Sequence, residues 1–217
     1  MASGSGAADI PVVPAGDNWV FIAHYSAPVD GVFDITGLDL AGYSRIIVEL
    51  DEVRFDLDAG ATEGFLTLSF YAAGVLLGLG YYPWRHLATS SSGASTNTAS
   101  TTEREIRILG GSTASFGMDE DSGASFNAEF EIHNFDSATL YKMVNHRCVW
   151  LSTAGHVITA YGAAAIETTE PLTGMLIVTN NAIITSGTVT VYGIQTADRT
   201  PDTPTPELVS LWVGALS

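Results

Sequence analysis

Ser125-Phe126-Asn127-Ala128-Glu129-Phe130-Glu131-Ile132-His133 decides the fold class of this chain. Phe126, Ala128, Phe130 and Ile132 fall on one side of an extended backbone, and Asn127, Glu129, Glu131 and His133 on the other. Successive Cβ atoms of a strand point to opposite faces, so a period of two means one face in a core and one in water. Working outward, Lys142–Ser152 and His156–Ile166 read as neighbouring strands around a turn at Gly155. Upstream, Ile46, Val48 and Leu50 alternate with Ile47, Glu49 and Asp51. Val53 and Phe55 then fall out of phase with Leu50, which predicts a β-bulge near Asp51-Glu52. Trp19–Tyr25, Phe33–Ile35, Met175–Thr179 and Thr188–Ile194 add further extended segments, with a turn over Leu38–Gly42. About eleven short strands with turn chemistry between them, and no long amphipathic helix, predict an all-β antiparallel β-sandwich, in particular a jelly roll. No internal repeat is visible, and neither β-helix nor fibre-shaft periodicity is present.

Phe65 to Trp84 carries no charge over a length that could span a membrane. Thr67, Ser69, Gly74, Gly78, Gly80 and Pro83 interrupt it, and Leu66, Leu68 and Phe70 alternate with polar residues. It reads instead as a hairpin of two buried strands, Phe65–Tyr71 and Val75–Tyr82, turning at Ala72-Ala73-Gly74. Asp56–Gly64 reads as an acidic loop, and Ala88–Thr102, almost wholly Ser, Thr, Ala, Gly and Asn, as a long exposed loop. Glu103–Leu109 reads as a strand with a charged face, and Asp136–Leu140 as a short helical turn. The domain organisation expected is a flexible arm over 1–16, a sandwich over 17–197, and a Pro-rich linker with an apolar docking segment over 198–217. Leu208, Val209, Leu211, Trp212, Val213 and Leu216 form that segment, suited to strand addition on a neighbouring chain or to a last strand of its own sandwich.

The chain has 217 residues, enough to bury a core without disulfides or metal. Its 8 basic and 24 acidic residues give a formal net charge of -16, and Lys142 is its one lysine. Such a surface repels phosphate backbones and anionic membranes, so neither nucleic-acid binding nor membrane insertion is expected. Cys148 stands alone, which excludes an intramolecular disulfide and fits a small buried hydrophobe. Met1–Gly6 lacks the basic and apolar regions of a signal peptide.

Catalytic signatures are missing. There is no G-x-S-x-G, no H-E-x-x-H and no phosphate-binding glycine loop. His146 and Cys148 share a strand face but lack a second pair with zinc spacing. Asp119-Glu120-Asp121-Ser122-Gly123 places oxygen ligands close together without the pattern of an EF-hand. No cofactor or metal is therefore assigned, and no catalytic residue. Carboxylates could pair in space as a glycosidase acid and base, but a sequence does not reveal which. Tyr81, Tyr82, Trp84, Arg85 and His86 gather aromatic faces and polar edges; Tyr81 and Trp84 read as core or rim packing, and the five are otherwise the candidate binding residues, for a second subunit or for a glycan.

Two phrases carry a family resemblance. Phe33-Asp34-Ile35-Thr36-Gly37-Leu38-Asp39-Leu40-Ala41-Gly42-Tyr43-Ser44-Arg45-Ile46-Ile47-Val48-Glu49-Leu50 leads an extended segment through a glycine turn into a strand. Thr185-Ser186-Gly187-Thr188-Val189-Thr190-Val191-Tyr192-Gly193-Ile194 closes the domain. Together they resemble the small β-rich domains of tailed-bacteriophage tail fibres, head fibres and capsid decoration proteins. The resemblance implies a non-enzymatic virion protein, made in the host cytoplasm and displayed on the particle. It implies a homotrimer with other virion proteins as partners and a role in host attachment. The chain departs from a full receptor fibre in lacking a long shaft and in adding the Pro-linked tail. A carbohydrate-binding adhesin acting through Tyr81–His86 is the second reading, and a glycan-degrading enzyme the third.

Overall fold

The computed structural model describes residues 19–26, 28–37, 40, 42–57, 65–78, 80–103, 105–108, 125–152, 154–180 and 182–195. The expected arms over 1–16 and 198–217, with Leu208, Val209, Leu211, Trp212, Val213 and Leu216, lie outside these residues. So do the acidic turn Asp119–Gly123, most of the Asp56–Gly64 loop and most of the Leu38–Gly42 turn.

The described residues form thirteen strands and no helix. In chain order they are β1 (Trp19–Tyr25), β2 (Phe33–Ile35), β3 (Tyr43–Leu57), β4 (Phe65–Ala72), β5 (Val75–Leu76), β6 (Tyr82–Ser90) and β7 (Ser95–Glu103). There follow β8 (Ile106–Arg107), β9 (Phe126–His133), β10 (Lys142–Leu151), β11 (Val157–Ile166), β12 (Leu172–Asn180) and β13 (Ala182–Gln195). An eight-stranded sheet runs β1-β13-β3-β9-β10-β11-β6-β7. A five-stranded sheet runs β2-β12-β4-β5, with β8 also on β4. All strand pairings are antiparallel, and the two sheets enclose one core, so the protein is an all-β antiparallel sandwich.

Each sheet contributes its alternate residues to that core. Phe126, Phe130 and Ile132 of β9 meet Leu66, Leu68 and Phe70 of β4 in one buried cluster. Tyr82 of the large sheet reaches across, its hydroxyl accepting the Phe70 N–H at 3.0 Å. The bulge expected near Asp51-Glu52 is present. Leu50 pairs with Ala128 and Val53 with Phe126, so two residues of β3 oppose Asn127 alone. Glu52 takes φ 51°, and its N–H donates to Asn127 Oδ1 at 2.8 Å. On the other flank of β3, Gly187 sits at φ 125°, where a Cβ would lie 2.6 Å from Val53 Cα. The β10–β11 hairpin also matches the reading, with Gly155 at φ 73° in its turn.

Several expectations are corrected. The segment Ala88–Thr102 is not a loop: it completes β6 and forms β7, paired from Thr89↔Ser95 to Tyr82↔Glu103 around a turn containing Gly93. Its Ser and Thr residues bury little, but a neighbouring edge satisfies their backbone groups, and Thr is favoured on a pleated surface. The second strand of the expected hairpin is only Val75–Leu76; Tyr82 belongs to the opposite sheet. Glu103–Leu109 is not one strand, because Glu103 ends β7 and only Ile106–Arg107 pairs with β4. Asp136–Leu140 is a set of bends held by Ser137 Oγ, which accepts the N–H groups of Thr139 and Leu140. Lys142 is fully buried, donating from Nζ to the carbonyls of Ser137 at 2.7 Å and Thr168 at 3.1 Å.

Candidate binding surface

The cluster chosen from sequence does not form one surface. Strand alternation along β6 turns Tyr82, Trp84 and His86 into the core with Ala88 and Ser90, and leaves Arg85 on the outer face. Trp84 is only 7% exposed, so its ring is not available for stacking on a ligand. Arg85 Nε donates to Asn97 Oδ1 at 3.2 Å, tying β6 to β7. Tyr81 lies just before the strand and is exposed. Five residues adjacent in sequence are thus divided between core, outer face and loop by the period of two.

On the inner face His86 and His146 meet. Their rings stack at 5.4 Å with 19° between planes, and His86 Nδ1 lies 3.0 Å from His146 Nε2. They reach each other across β11 because the residue between them is Gly162, paired with both. A Cβ there would stand 2.5 Å from the His146 ring and 2.3 Å from the Arg85 carbonyl oxygen. Burial pushes His86 down to about 4. Burial, and secondarily His86, pushes His146 down to about 3. Both imidazoles are therefore neutral at pH 7, and their remaining ring nitrogens, His86 Nε2 and His146 Nδ1, are buried without a partner among the described residues. His146 and Cys148 do share a buried face. Cys148 Sγ, however, lies 3.5 Å from the Ile108 carbonyl, and burial pushes its thiol well above the ordinary range. No group of three or more metal-ligating side chains occurs among the described residues.

The outer face of the same sheet carries the hydrophilic chemistry. Strand register aligns His24, Thr190, Glu49, Glu129, Arg147 and Tyr161 in one transverse row, from β1 through β13, β3, β9 and β10 to β11. Glu49 and Glu129 are direct cross-strand partners. Arg147 Nη2 donates to Glu129 Oε2 at 2.7 Å, and His24 Nδ1 lies 3.0 Å from Thr190 Oγ1. The Glu49 carboxyl is raised above the usual range by burial first, then by Glu129 and Asp51, with Arg147 opposing. A register shift between Phe21 and Ala23 lets Phe21 and His24 face the same way. These residues line a groove of about 1070 Å³ that crosses six adjacent strands. Its ends carry exposed aromatic rings, Phe21 at 45% and Tyr161 at 59% exposure.

Sequence reasoning did not single out this groove. Outward placement of Glu49 and Glu129 is visible in the alternation of their strands. Their juxtaposition depends on register between segments some eighty residues apart, for which a single strand carries no signal. No protein-family model, curated protein or solved structure matches the chain. Among the described residues no helix is long and apolar enough to cross a membrane.

Proposed function

We propose that this chain is a binding and assembly subunit of a bacteriophage or phage-like particle, a jelly-roll module displayed on the particle surface. One observation carries the reading: the strand order. Within the large sheet, β1-β13-β3-β9 faces β2-β12-β4-β5 in the small one. Read as eight strands, this order supports the reading as a jelly roll of two interleaved Greek keys. The β6–β7 and β10–β11 hairpins then widen one sheet to eight strands, and β8 is added to the other. These extra strands extend the core through Tyr82, Trp84, Val144 and Trp150 and at the same time widen the outer face, which suits a module that works by docking. The phrases at Phe33–Leu50 and Thr185–Ile194 supply the link to phage appendages, and they form the β2–β3 and β13 strands of that order. The module acts as a homotrimer with other virion proteins as partners and needs no turnover.

Light scattering coupled to size exclusion tests the assembly. A native mass three times that of the 22.8 kDa chain is expected. A monomer at micromolar concentration, together with absence of the chain from purified particles by mass spectrometry, would reject the reading.

A further inference from the structure

The groove on the outer face of the eight-stranded sheet is not accounted for by the core, by the aromatic cluster before β7 or by assembly. Its floor mixes short polar side chains, Thr188, Thr190, Asn127 and Thr159, with apolar ones such as Val149 and Tyr192, along an open path across six strands. Six adjacent strands span roughly 24 Å at the usual interstrand spacing, room for several sugar rings in line. Aromatic rings stand at the ends, Phe21 with its edge against Tyr192 (centroids 6.2 Å apart) and Tyr161 open to solvent. Between the rings lie planar groups that bind pairs of hydroxyls. Glu49 and Asp51 form no ion pair among the described residues and keep both oxygens as acceptors. Arg147 uses Nη2 on Glu129 while its side chain is 75% exposed, leaving donors free toward the groove.

Aromatic faces flanking bidentate acceptors and donors match the two-sided chemistry of a saccharide, with apolar C–H faces and a hydroxyl rim. Three carboxylates against one guanidinium make the groove net negative. That charge disfavours sialylated, sulfated or phosphorylated glycans and also nucleic acid. It also disfavours the same face of a second copy, which would set Glu49, Asp51 and Glu129 against their own equivalents. From this geometry we infer that the groove is a binding site for a neutral oligosaccharide, with Tyr161 and Phe21 stacking on sugar rings and Glu49, Glu129 and Arg147 holding hydroxyls. The site is distinct from the Tyr81–His86 region and stands independently of whether the protein sits on a particle.

The test is binding of the full chain to a printed array of neutral and anionic glycans. It is followed by calorimetric titration of the best neutral ligand as a hexasaccharide. Binding confined to neutral glycans is expected, weakened about tenfold or more in Tyr161→Ala and in Glu49→Gln. Native mass of both variants is expected to match the parent, and neither variant is expected to melt below it. Tyr161 is exposed, so its variant remains informative even where a carboxylate variant perturbs the sheet. Failure to bind any neutral glycan would overturn the inference, as would binding only to anionic glycans or binding unchanged in both variants. None of those outcomes would alter the native mass, so the assembly reading stands or falls separately.

Discussion

The two faces of the eight-stranded sheet are built from the same strands and obey opposite electrostatics. Inside, the row His86–Gly162–His146–Phe130 places two imidazoles together by removing the side chain between them. Outside, one residue further along each strand, the row Glu49–Glu129–Arg147–Tyr161 places like charges side by side with a guanidinium to moderate them. The inner polar pair persists because both members are neutral; desolvation is the leading cause of their lowered proton affinity. The outer carboxylates persist as charges because water reaches them, and the leading cause of the Glu49 shift is only its partial burial. The same polar chemistry thus becomes a folding constraint on one face and, in the binding role proposed for the groove, a solvent-facing recognition surface on the other.

The largest expected effect lies on the inner face. His86 and His146 have folded values of about 4 and 3 against an ordinary 6.5. The unfolded chain therefore takes up protons that the folded chain refuses. Stability contributed by the neutral pair is complete above pH 6.5 and is lost as pH falls toward 4, at a slope approaching two protons, about 2.7 kcal/mol per pH unit. Urea midpoints measured from pH 7.5 to 4.5 are expected to fall steeply. A His86→Leu/His146→Leu double variant is expected to show a flatter profile over the same range. Equal slopes in parent and variant would mean that carboxylate titration alone governs acid sensitivity.

Next in size is Gly162→Ala. The new methyl group would stand 2.3 Å from the Arg85 carbonyl oxygen and 2.5 Å from the His146 ring, so backbone and a buried ring would both have to shift. A loss of about 3 kcal/mol is expected in chemical denaturation. A variant as stable as the parent would show that the two histidines do not meet across β11 in solution.

The smallest effect belongs to the outer face and has the opposite sign. Glu49→Gln removes one of two carboxylates standing directly opposite each other and is expected to stabilise the fold at pH 7 by about 0.2–1 kcal/mol. The sign follows from its raised folded value. An acid that binds its proton more tightly when folded loses stability as pH rises above the ordinary carboxylate value of 4.5. The stabilisation should therefore shrink below pH 4.5. A destabilised Glu49→Gln at pH 7 would mean that Glu49 is a structural hydrogen-bond partner instead of an unsatisfied charge.

Legibility followed the strength of local pattern. β9 was readable residue by residue because apolar and polar positions alternate strictly around Phe130, and the β10–β11 pairing was readable from two extended segments flanking the Gly155 turn. The Asp51-Glu52 bulge was readable because Val53 and Phe55 break phase with Leu50. β7 was not readable, since Ser95–Glu103 has almost no apolar residues and is a strand only because β6 offers it an edge. For Trp84, standing among Tyr81, Arg85 and His86, the sequence left core packing and ligand or subunit contact side by side, and the structure buries it. Its burial follows from which side of β6 faces the small sheet, a side fixed at Tyr82, two residues earlier on the same face, by its contact with Phe70.

By itself, then, the sequence determined the all-β class, the acidic surface, the lone buried thiol and the inward or outward sense of most strand residues. These properties are local, because a period of two and a net charge need no knowledge of neighbours. Only the tertiary structure decided which strands adjoin, and with that the pairing of Glu49 with Glu129, the stacking of His86 on His146 and the groove across six strands. Register between distant segments is set by how the two sheets close over one shared core, and no single segment encodes it.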